Sequence, residues 1–304
     1  MRFDFLVAAN QNGILLKTFL KQHGISKHLL AKIKFDGGDL QVNGVKQNAI
    51  YHVSEGDKVT IHIPSETATV TLKQQEMPLA IVYEDDHFLV LDKPAGIASV
   101  TGVNYPDSTM SNYVAGYLKA QGYDNQKVHV VTRLDKDTSG LMLFAKHGYA
   151  HSLLDKMLQQ KGVTKRYFAL VHTSNQLEQS ADIQVPIGRK DGSIIERAVV
   201  DSEHPTAKFA HTSYEIVQSQ AHFTLVDIQL HTGRTHQIRV HFSHLGAPLL
   251  GDDLYGGKRD KIARQALHCH FLSFRHPFTD EELCLASPLP QDMQVLLDND
   301  KGNG

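Results

Sequence analysis

Cysteine and tryptophan are scarce in this chain of 304 residues, which has two cysteines, Cys269 and Cys284, and no tryptophan. Two cysteines cannot form a disulfide framework, and their scarcity is typical of a protein in a reducing cytoplasm. No apolar run approaches the roughly 20 residues that a membrane-spanning helix needs. The first residues also lack the basic start and apolar core of a secretory signal. The sequence therefore predicts a soluble cytoplasmic protein.

Charge of one sign is not in excess overall, because the net charge is −2 with neutral histidines. The distribution is uneven, since residues 13–35 include five lysines and no acidic residue. A local basic surface can bind the phosphates of a nucleic acid even in a near-neutral protein. A solvated helix face explains the same pattern equally well. The lysines concerned are Lys17, Lys21, Lys27, Lys32 and Lys34.

Two parts of unequal size are predicted along the chain. Residues 1–64 are predicted to form a small α+β module with two helices, the second capped by Ser26. Short strands are predicted at 40–42, 50–53 and 59–63, with Asn43-Gly44 as a tight turn. Residues 65–78 are polar, have no clear period and are interpreted as a linker. Residues 79–304 are predicted to form a second, larger domain.

The larger domain is predicted to mix strands with a few helices. Strand and helix do not alternate regularly, so a doubly wound parallel sheet is not expected. The pattern favours an α+β fold with a largely antiparallel central sheet flanked by helices. Strands are predicted at 81–83, 88–91, 141–145, 167–171, 214–217, 223–230 and 267–274, and helices at 110–120, 150–158 and 235–244.

A charged segment lies between two apolar strands within residues 128–145, with Arg133 and Asp135 near its middle. A carboxylate at the edge of a core needs a partner or a chemical role. The residues 137–140 that follow are also good turn formers, and Asp135 as a cap of that turn is the structural alternative. The spacing alone leaves both interpretations open.

Two further segments place cations beside buried structure. Residues 230–246 carry Arg234 and Arg239 at the start of a predicted helix, together with several histidines that are best explained as a polar helix face. Arginine is the side chain that forks onto a carboxylate or phosphate. Residues 165–171 open a predicted strand with two cations and Tyr167. A tyrosine at a pocket edge can stack on a base, although most strand tyrosines belong to the core.

Taken together, these segments resemble the RluA/RluD-type RNA pseudouridine synthase family. Six motifs match in family order across residues 80–290. The small module resembles, more loosely, the S4-like RNA-binding domain that often precedes this catalytic domain. The six motifs are residues 83–96, 132–141, 165–167, 233–241, 251–257 and 264–268.

The resemblance implies an enzyme that isomerises uridine to pseudouridine in structured RNA. It implies Asp135 as the catalytic carboxylate and Arg239 as its partner cation. It implies Tyr167 as the side chain that stacks on the target base and assists removal of the C5 proton. Arg133 is expected to fill the space that the flipped nucleotide leaves. The expected RNA contacts also include Lys93, Arg234 and the five N-terminal lysines.

The same resemblance implies no cofactor and no metal, because the reaction is an isomerisation. Large-subunit ribosomal RNA is the first expected substrate and transfer RNA the second, and nothing in the sequence requires more than a monomer. The chain departs from the family at two positions. Thr132 stands where a histidine is usual, and Val100 lies where many members have a His-Pro pair. These departures concern contacts around the site rather than the reaction.

Two other functions fit the sequence less well. A non-catalytic RNA-binding or ribosome assembly protein is disfavoured, because a pure binder has no need of Asp135, Tyr167 and Arg239 together. A metal-dependent hydrolase is suggested by the 19 histidines and by His268-Cys269-His270. The sequence has no Cys-x-x-Cys and no His-Glu-x-x-His motif, which disfavours that class and the zinc deaminases.

Overall fold

The N-terminal part of the chain folds as a four-stranded antiparallel sheet covered by two helices. The structure is a computed structural model that describes residues 1–67 and 72–300. The elements of this N-terminal unit are β1 (Arg2–Leu6), α1 (Leu16–Gln22), α2 (Lys27–Phe35), β2 (Asp39–Val42), β3 (Val45–Lys46) and β4 (Lys58–His62). Their order across the sheet is β1-β4-β2-β3.

Local sequence explains most of these boundaries. The Ser26 hydroxyl accepts a hydrogen bond from the Leu29 amide at 3.1 Å, which caps α2 as predicted. Asn43 and Gly44 have φ of 50° and 79° and form the predicted turn between β2 and β3. The prediction of a strand at 50–53 is wrong. Its backbone bonds to the segment before α1 instead of to the sheet, with a single bridge between His52 and Leu15.

The larger domain contains ten paired strands in one sheet and a separate two-stranded ribbon. Its first elements are β5 (Ile81–Glu84), β6 (Phe88–Lys93), α3 (Met110–Ala120), β7 (His129–Val130), β8 (Ser139–Ala145), α4 (Gly148–Gln159) and β9 (Val163–His172). The rest are β10 (Ser180–Ile183), β11 (Ile187–Arg189), β12 (Arg197–Val199), β13 (Thr212–Ser219), β14 (Phe223–Leu230), α5 (Gln237–His244), β15 (Leu267–Arg275), β16 (Glu282–Ala286) and α6 (Gln291–Asp300).

The strand order of the large sheet is β10-β13-β14-β9-β15-β8-β6-β5, with β16 paired to β15 and β7 paired to β8. Every pairing is antiparallel except that of β15 with β8. The predicted α+β fold with a largely antiparallel sheet is therefore confirmed. The sequence analysis missed β1, β3, β10, β11, β12, β16 and α6, all of which are edge, ribbon or terminal elements.

Strand β8 shows how the core is arranged, because all of its residues are buried. On one face, Leu141 and Leu143 pack with the helices α4 and α5. On the other face, Met142 and Phe144 pack with α3. A strand covered on both faces is apolar without alternation, as the sequence of β8 is. Among the described residues, no helix combines the length and apolarity needed to cross a membrane.

The segment predicted as a linker has no regular secondary structure in its described residues, 65–67 and 72–78. Glu66 nevertheless ties the N-terminal unit to the larger domain. Its carboxylate accepts hydrogen bonds from His129 at 2.8 Å and the Gly148 amide at 2.7 Å, and pairs with Lys32 of α2 at 3.4 Å. Burial raises the pKa of Glu66, but His129, Gly148 and Lys32 outweigh it and lower the pKa to about 2.

Aromatic packing completes the contact between the two parts. The Phe3 ring of β1 stacks on Phe278 with ring centroids 5.6 Å apart. The Tyr149 side chain of α4 belongs to the core of the N-terminal unit, and its hydroxyl donates to the His23 carbonyl at 2.7 Å. The N-terminal unit is therefore fixed against α4 rather than suspended on a free linker.

We predict that Glu66→Gln destabilises the protein at pH 7 by on the order of 2–3 kcal/mol, because the carboxylate loses its charge-assisted partners. A lowered pKa stabilises the folded state fully above the unfolded value of 4.5, and this stabilisation is lost as the pH falls toward about 2. Urea denaturation at pH 7 and pH 3 should show a difference from wild type that shrinks at the lower pH. The exposed Glu203→Gln serves as control, and an equal loss at both pH values would contradict the assignment.

Candidate active site

A cleft of about 500 Å³ opens on the face of the large sheet that carries α4 and α5. Four segments from distant parts of the sequence line it: the chain between β6 and α3, the chain between β7 and β8, the first half of β9, and the chain from β14 into α5. The residues predicted as catalytic or as neighbours of the target base meet here, namely Asp135, Tyr167, Arg239, Arg133 and Arg234.

Asp135 sits on a loop whose backbone is held by several bonds. The Asp135 carbonyl accepts from the Thr138 amide at 3.1 Å, and the Ser99 hydroxyl bonds both the amide and the carbonyl of Leu134. The loop then enters β8 at Gly140, where φ is 111° and a Cβ would lie 2.3 Å from the Cys269 carbonyl oxygen. Only glycine fits that close approach, so the loop direction is fixed.

The carboxylate of Asp135 does not cap the turn that follows it. Its Oδ2 accepts a hydrogen bond from Arg239 Nη1 at 3.2 Å, and its side chain is 30% exposed. The Oδ1 atom bonds to no described residue, and Asp135 lines the cleft. The geometry therefore favours the chemical interpretation of this residue over the turn-capping one.

Arg239 is shared between two carboxylates. Its Nε and Nη2 both bond Asp252 at 2.7 Å in a bidentate pair, and its Nη1 reaches Asp135. Burial alone would lower the pKa of Arg239, but the two carboxylates outweigh it and raise the pKa above its ordinary value. The Asp252 side chain is fully buried. Asp252 therefore fixes the guanidinium in the orientation that meets Asp135.

His236 lies on the other side of Asp135. Its backbone is left-handed, with φ of 57°, at the residue before α5. Its Nδ1 bonds the Tyr255 hydroxyl at 2.8 Å, which leaves Nε2 3.9 Å from Asp135 Oδ2. Burial lowers the pKa of His236 from its ordinary value, with Asp135 acting in the opposite direction. A left-handed non-glycine residue is strained, and such strain is often found at functional sites.

Tyr167 forms part of the cleft wall on β9. Its side chain is buried, and burial raises its pKa well above the ordinary value. The phenol therefore stays protonated at neutral pH. Lys165 precedes it by two residues on the same face of the strand and also lines the cleft.

Sequence analysis did not assign a function to Asp252, His236, Tyr255 or Lys165. Asp252 and Tyr255 lie in the motif at residues 251–257, so the signal was present. What the sequence alone did not indicate is that this segment reaches back to Arg239.

The structure corrects the prediction for Lys93, which was expected to contact RNA. Lys93 is completely buried, and its Nζ donates to the carbonyls of Pro94, Ile97 and Lys136 at 2.8, 2.8 and 2.9 Å. Burial lowers its pKa to about 7, although Asp137 and Asp135 act against this. A side chain with three backbone partners and no exposure cannot reach a phosphate. Lys93 instead fastens the turn after β6 to the Asp135 loop.

The other predicted RNA contacts lie at two places. Arg133 and Arg234 are exposed at the mouth of the cleft. On the N-terminal unit, Lys32 is partly buried in its pair with Glu66. The remaining four lysines of that unit are exposed: Lys17, Lys21, Lys27 and Lys34.

The structure shows where the two residues that depart from the family pattern, Thr132 and Val100, are placed. The Thr132 hydroxyl accepts from the Leu143 amide at 2.9 Å, so it joins its own loop to β8. Val100 lines the cleft.

The two histidines of the segment His268-Cys269-His270 do not converge on one point. His268 bonds Ser139, and His270 bonds Asp227.

Comparison with known proteins shows the family to which this chain belongs. A profile described as RNA pseudouridylate synthase matches residues 87–244. The RNA pseudouridine synthase YjbO of Bacillus subtilis is 44% identical over 282 residues, which cover 93% of this chain and 98% of that protein. The chain belongs to the RNA pseudouridine synthase family.

Further relatives and solved structures agree with this family membership. Ribosomal large subunit pseudouridine synthase D of Pseudomonas aeruginosa is 36% identical over 274 residues, covering 86% of this chain and 83% of that protein. The structure of human RNA pseudouridylate synthase domain containing 4 covers 73% of this chain and 93% of its own, with a TM-score of 0.60 and 23% identity. That structure supports the fold. The predicted resemblance to RluA/RluD-type synthases is confirmed.

The shared cation gives a test for this family member. We predict that Arg239→Leu lowers the single-turnover rate by about 100-fold, because Asp135 loses its orienting donor. It should also destabilise the fold by about 3–5 kcal/mol, since the buried Asp252 is left without a partner. Single-turnover assays and urea denaturation measure the two effects.

The double variant Arg239→Leu/Asp252→Leu separates these roles. Removing both buried partners should recover most of the stability, while the rate stays low because Asp135 still lacks a cation. Recovery of the rate together with stability would mean that Arg239 serves the fold alone.

Proposed function

We propose that this protein converts specific uridines of large-subunit ribosomal RNA to pseudouridine, with Asp135 as the catalytic carboxylate. One observation carries the assignment of the residue. Asp135 is a partly exposed carboxylate at a cleft, one oxygen is held by Arg239, and the other is free to meet a substrate. No other described carboxylate among the residues that line this cleft competes for that position.

The reaction requires the target uridine to leave its stack and enter the cleft, at a cost of a few kcal/mol. The bond between N1 of uracil and C1′ of ribose then breaks, the base turns, and C5 joins C1′. Asp135 serves this step either by attacking C1′ as a nucleophile or by removing the C2′ proton. Both routes need the carboxylate at a fixed place, and the hydrogen bond from Arg239 holds it there.

Tyr167 is assigned to stacking on the target base. Its ring forms part of the cleft wall, and its raised pKa keeps the phenol protonated. A protonated phenol is a poor base, so we assign Tyr167 to holding the uracil rather than to removing the C5 proton. Arg133 and Arg234, exposed at the mouth, are assigned to the phosphates and to the gap that the flipped nucleotide leaves.

The substrate assignment rests on relatives. Several proteins named ribosomal large subunit pseudouridine synthase D match this chain at 35–36% identity over most of its length. Their name supports large-subunit ribosomal RNA as the substrate, ahead of transfer RNA. The N-terminal unit, interpreted as S4-like, would hold the RNA through its four exposed lysines, which are suited to phosphate contacts.

We predict that cells without this gene lose one or a few carbodiimide-detected pseudouridines in large-subunit ribosomal RNA. Wild type should restore them, and Asp135→Asn should not, because an amide is neither a nucleophile nor a base here. The purified Asp135→Asn protein should bind the same RNA with an affinity close to wild type.

Three outcomes would revise the proposal. A loss of signals in transfer RNA would move the substrate and keep the reaction. An active Asp135→Asn protein would reject the assigned residue. Unchanged signals in all RNA would favour a non-catalytic RNA-binding protein with this fold.

We also predict that changing Lys17, Lys21, Lys27 and Lys34 together to glutamine weakens RNA binding and flattens its salt dependence. For every phosphate that the variant no longer neutralises, the slope of log K against log[salt] should decrease by about 0.7–0.9. A control with Lys119, Lys258 and Lys261 changed to glutamine alters exposed lysines of the larger domain. Equal slopes in the two variants would reject the N-terminal unit as the basic RNA contact.

A further inference from the structure

Lys165 is a cation in the wall of the cleft, and its amine makes no hydrogen bond or ion pair with another described residue. The side chain lies on the face of β9 that carries Tyr167, and both residues line the cleft. Its amine lies beside the chain that leads into α5, since a Cβ at Gly233 would be 4.0 Å from Lys165 Nζ. The amine therefore faces the space next to the proposed stacking position of the base.

Nothing among the described residues neutralises this amine. Burial lowers the pKa of Lys165, and the group acting against this is the Cys269 thiol rather than a carboxylate. Arg166, the next residue, faces the other side of the sheet and makes a bidentate pair with Asp227 at 2.8 and 3.1 Å. The strand thus carries a paired cation on one face and an unpaired cation on the face of the cleft.

A half-buried amine without a partner lowers stability, because it loses part of its hydration and acquires no hydrogen bond in exchange. Its presence is accounted for if the partner arrives with the substrate. The interior and the mouth of the cleft suit different parts of a nucleotide. The apolar side chains of Leu230, Ile238 and Leu267 line the interior, and the exposed Arg133 lies at the mouth. The phosphates stay at the mouth, so the group that reaches Lys165 belongs to the base.

We propose that Lys165 donates a hydrogen bond to a carbonyl oxygen of the target uracil and stabilises the negative charge that this base acquires when its bond to C1′ breaks. This inference rests on the proposed function. The electron pair of the N1–C1′ bond stays with the uracil and spreads onto its carbonyl oxygens. C1′ gains a bond either to Asp135 or, after loss of the C2′ proton to Asp135, a double bond to C2′. Lys165 keeps its proton throughout.

The test is Lys165→Met, which keeps the apolar stem and removes the donor. We expect the single-turnover rate on RNA carrying the target uridine to fall by about 100-fold, the usual loss for one donor to a developing anion. The melting temperature should stay equal or rise, because the variant no longer holds an unpaired, half-buried amine. Lys156→Met, an exposed lysine on α4, is the matched control and should keep the wild-type rate.

If the base is a better leaving group, cleavage of the N1–C1′ bond should depend less on the hydrogen bond from Lys165. In RNA with 5-fluorouridine at the target, fluorine withdraws charge from the ring, so the rate of N1–C1′ cleavage should fall by a clearly smaller factor in Lys165→Met. A residue that only shaped the cleft would slow both substrates equally. Lys165→Arg, which keeps a donor, should retain more activity than Lys165→Met.

The outcomes are distinct. A wild-type rate in Lys165→Met, equal losses with both substrates, or a lowered melting temperature would overturn the role of Lys165 and leave the proposed function intact. A loss confined to RNA affinity, with a salt slope reduced by about 1, would assign Lys165 to a phosphate and also overturn it. Failure of the wild-type enzyme to rearrange any uridine would overturn both.

Discussion

The guanidinium of Arg239 lies between the carboxylates of Asp135 and Asp252, and the cleft takes its shape around this arrangement. A buried cation needs an anion, and Asp252 supplies it through two bonds of 2.7 Å. The three residues come from the loop before β8, from α5 and from the segment between α5 and β15. One ion network therefore joins segments that are far apart in sequence, and it does so at the place where the chemistry is proposed.

The two carboxylates differ in a way that divides their tasks. Asp252 is fully buried and uses both oxygens on Arg239, so its role is to position the cation. Asp135 is partly exposed and uses one oxygen, so the other remains for a substrate. The neighbouring side chains differ in the same way. Lys93 anchors the Asp135 loop by donating to the Lys136 carbonyl, whereas Lys165 and Tyr167 line the cleft. Of these two lysines, the fully buried one with three carbonyl partners serves the fold, and the half-buried one without partners is proposed to serve the substrate.

The sequence indicated the elements that build the site, because buried strands and amphipathic helices have strong periodic patterns. The helix α3 was predicted at its observed limits, and Asp135, Tyr167 and Arg239 were expected together and meet in one cleft. The strands β10, β11 and β12 were missed, since segments of three or four residues are too short to show such a pattern. The role of Lys93 was predicted wrongly because its three carbonyl partners depend on tertiary contacts. Glu66 looked like part of a polar linker for the same reason, although it joins both parts of the protein.

The central claim is that Asp135 meets the sugar of a flipped uridine in this cleft. A crystal structure of the protein with an RNA hairpin that carries 5-fluorouridine at its mapped target would test it most directly. The account predicts the target ring against Tyr167 and a carboxylate oxygen of Asp135 in contact with C1′, at about 3–3.5 Å or covalently bound. A target nucleotide that stays stacked in the RNA, or whose C1′ faces a different carboxylate, would contradict it.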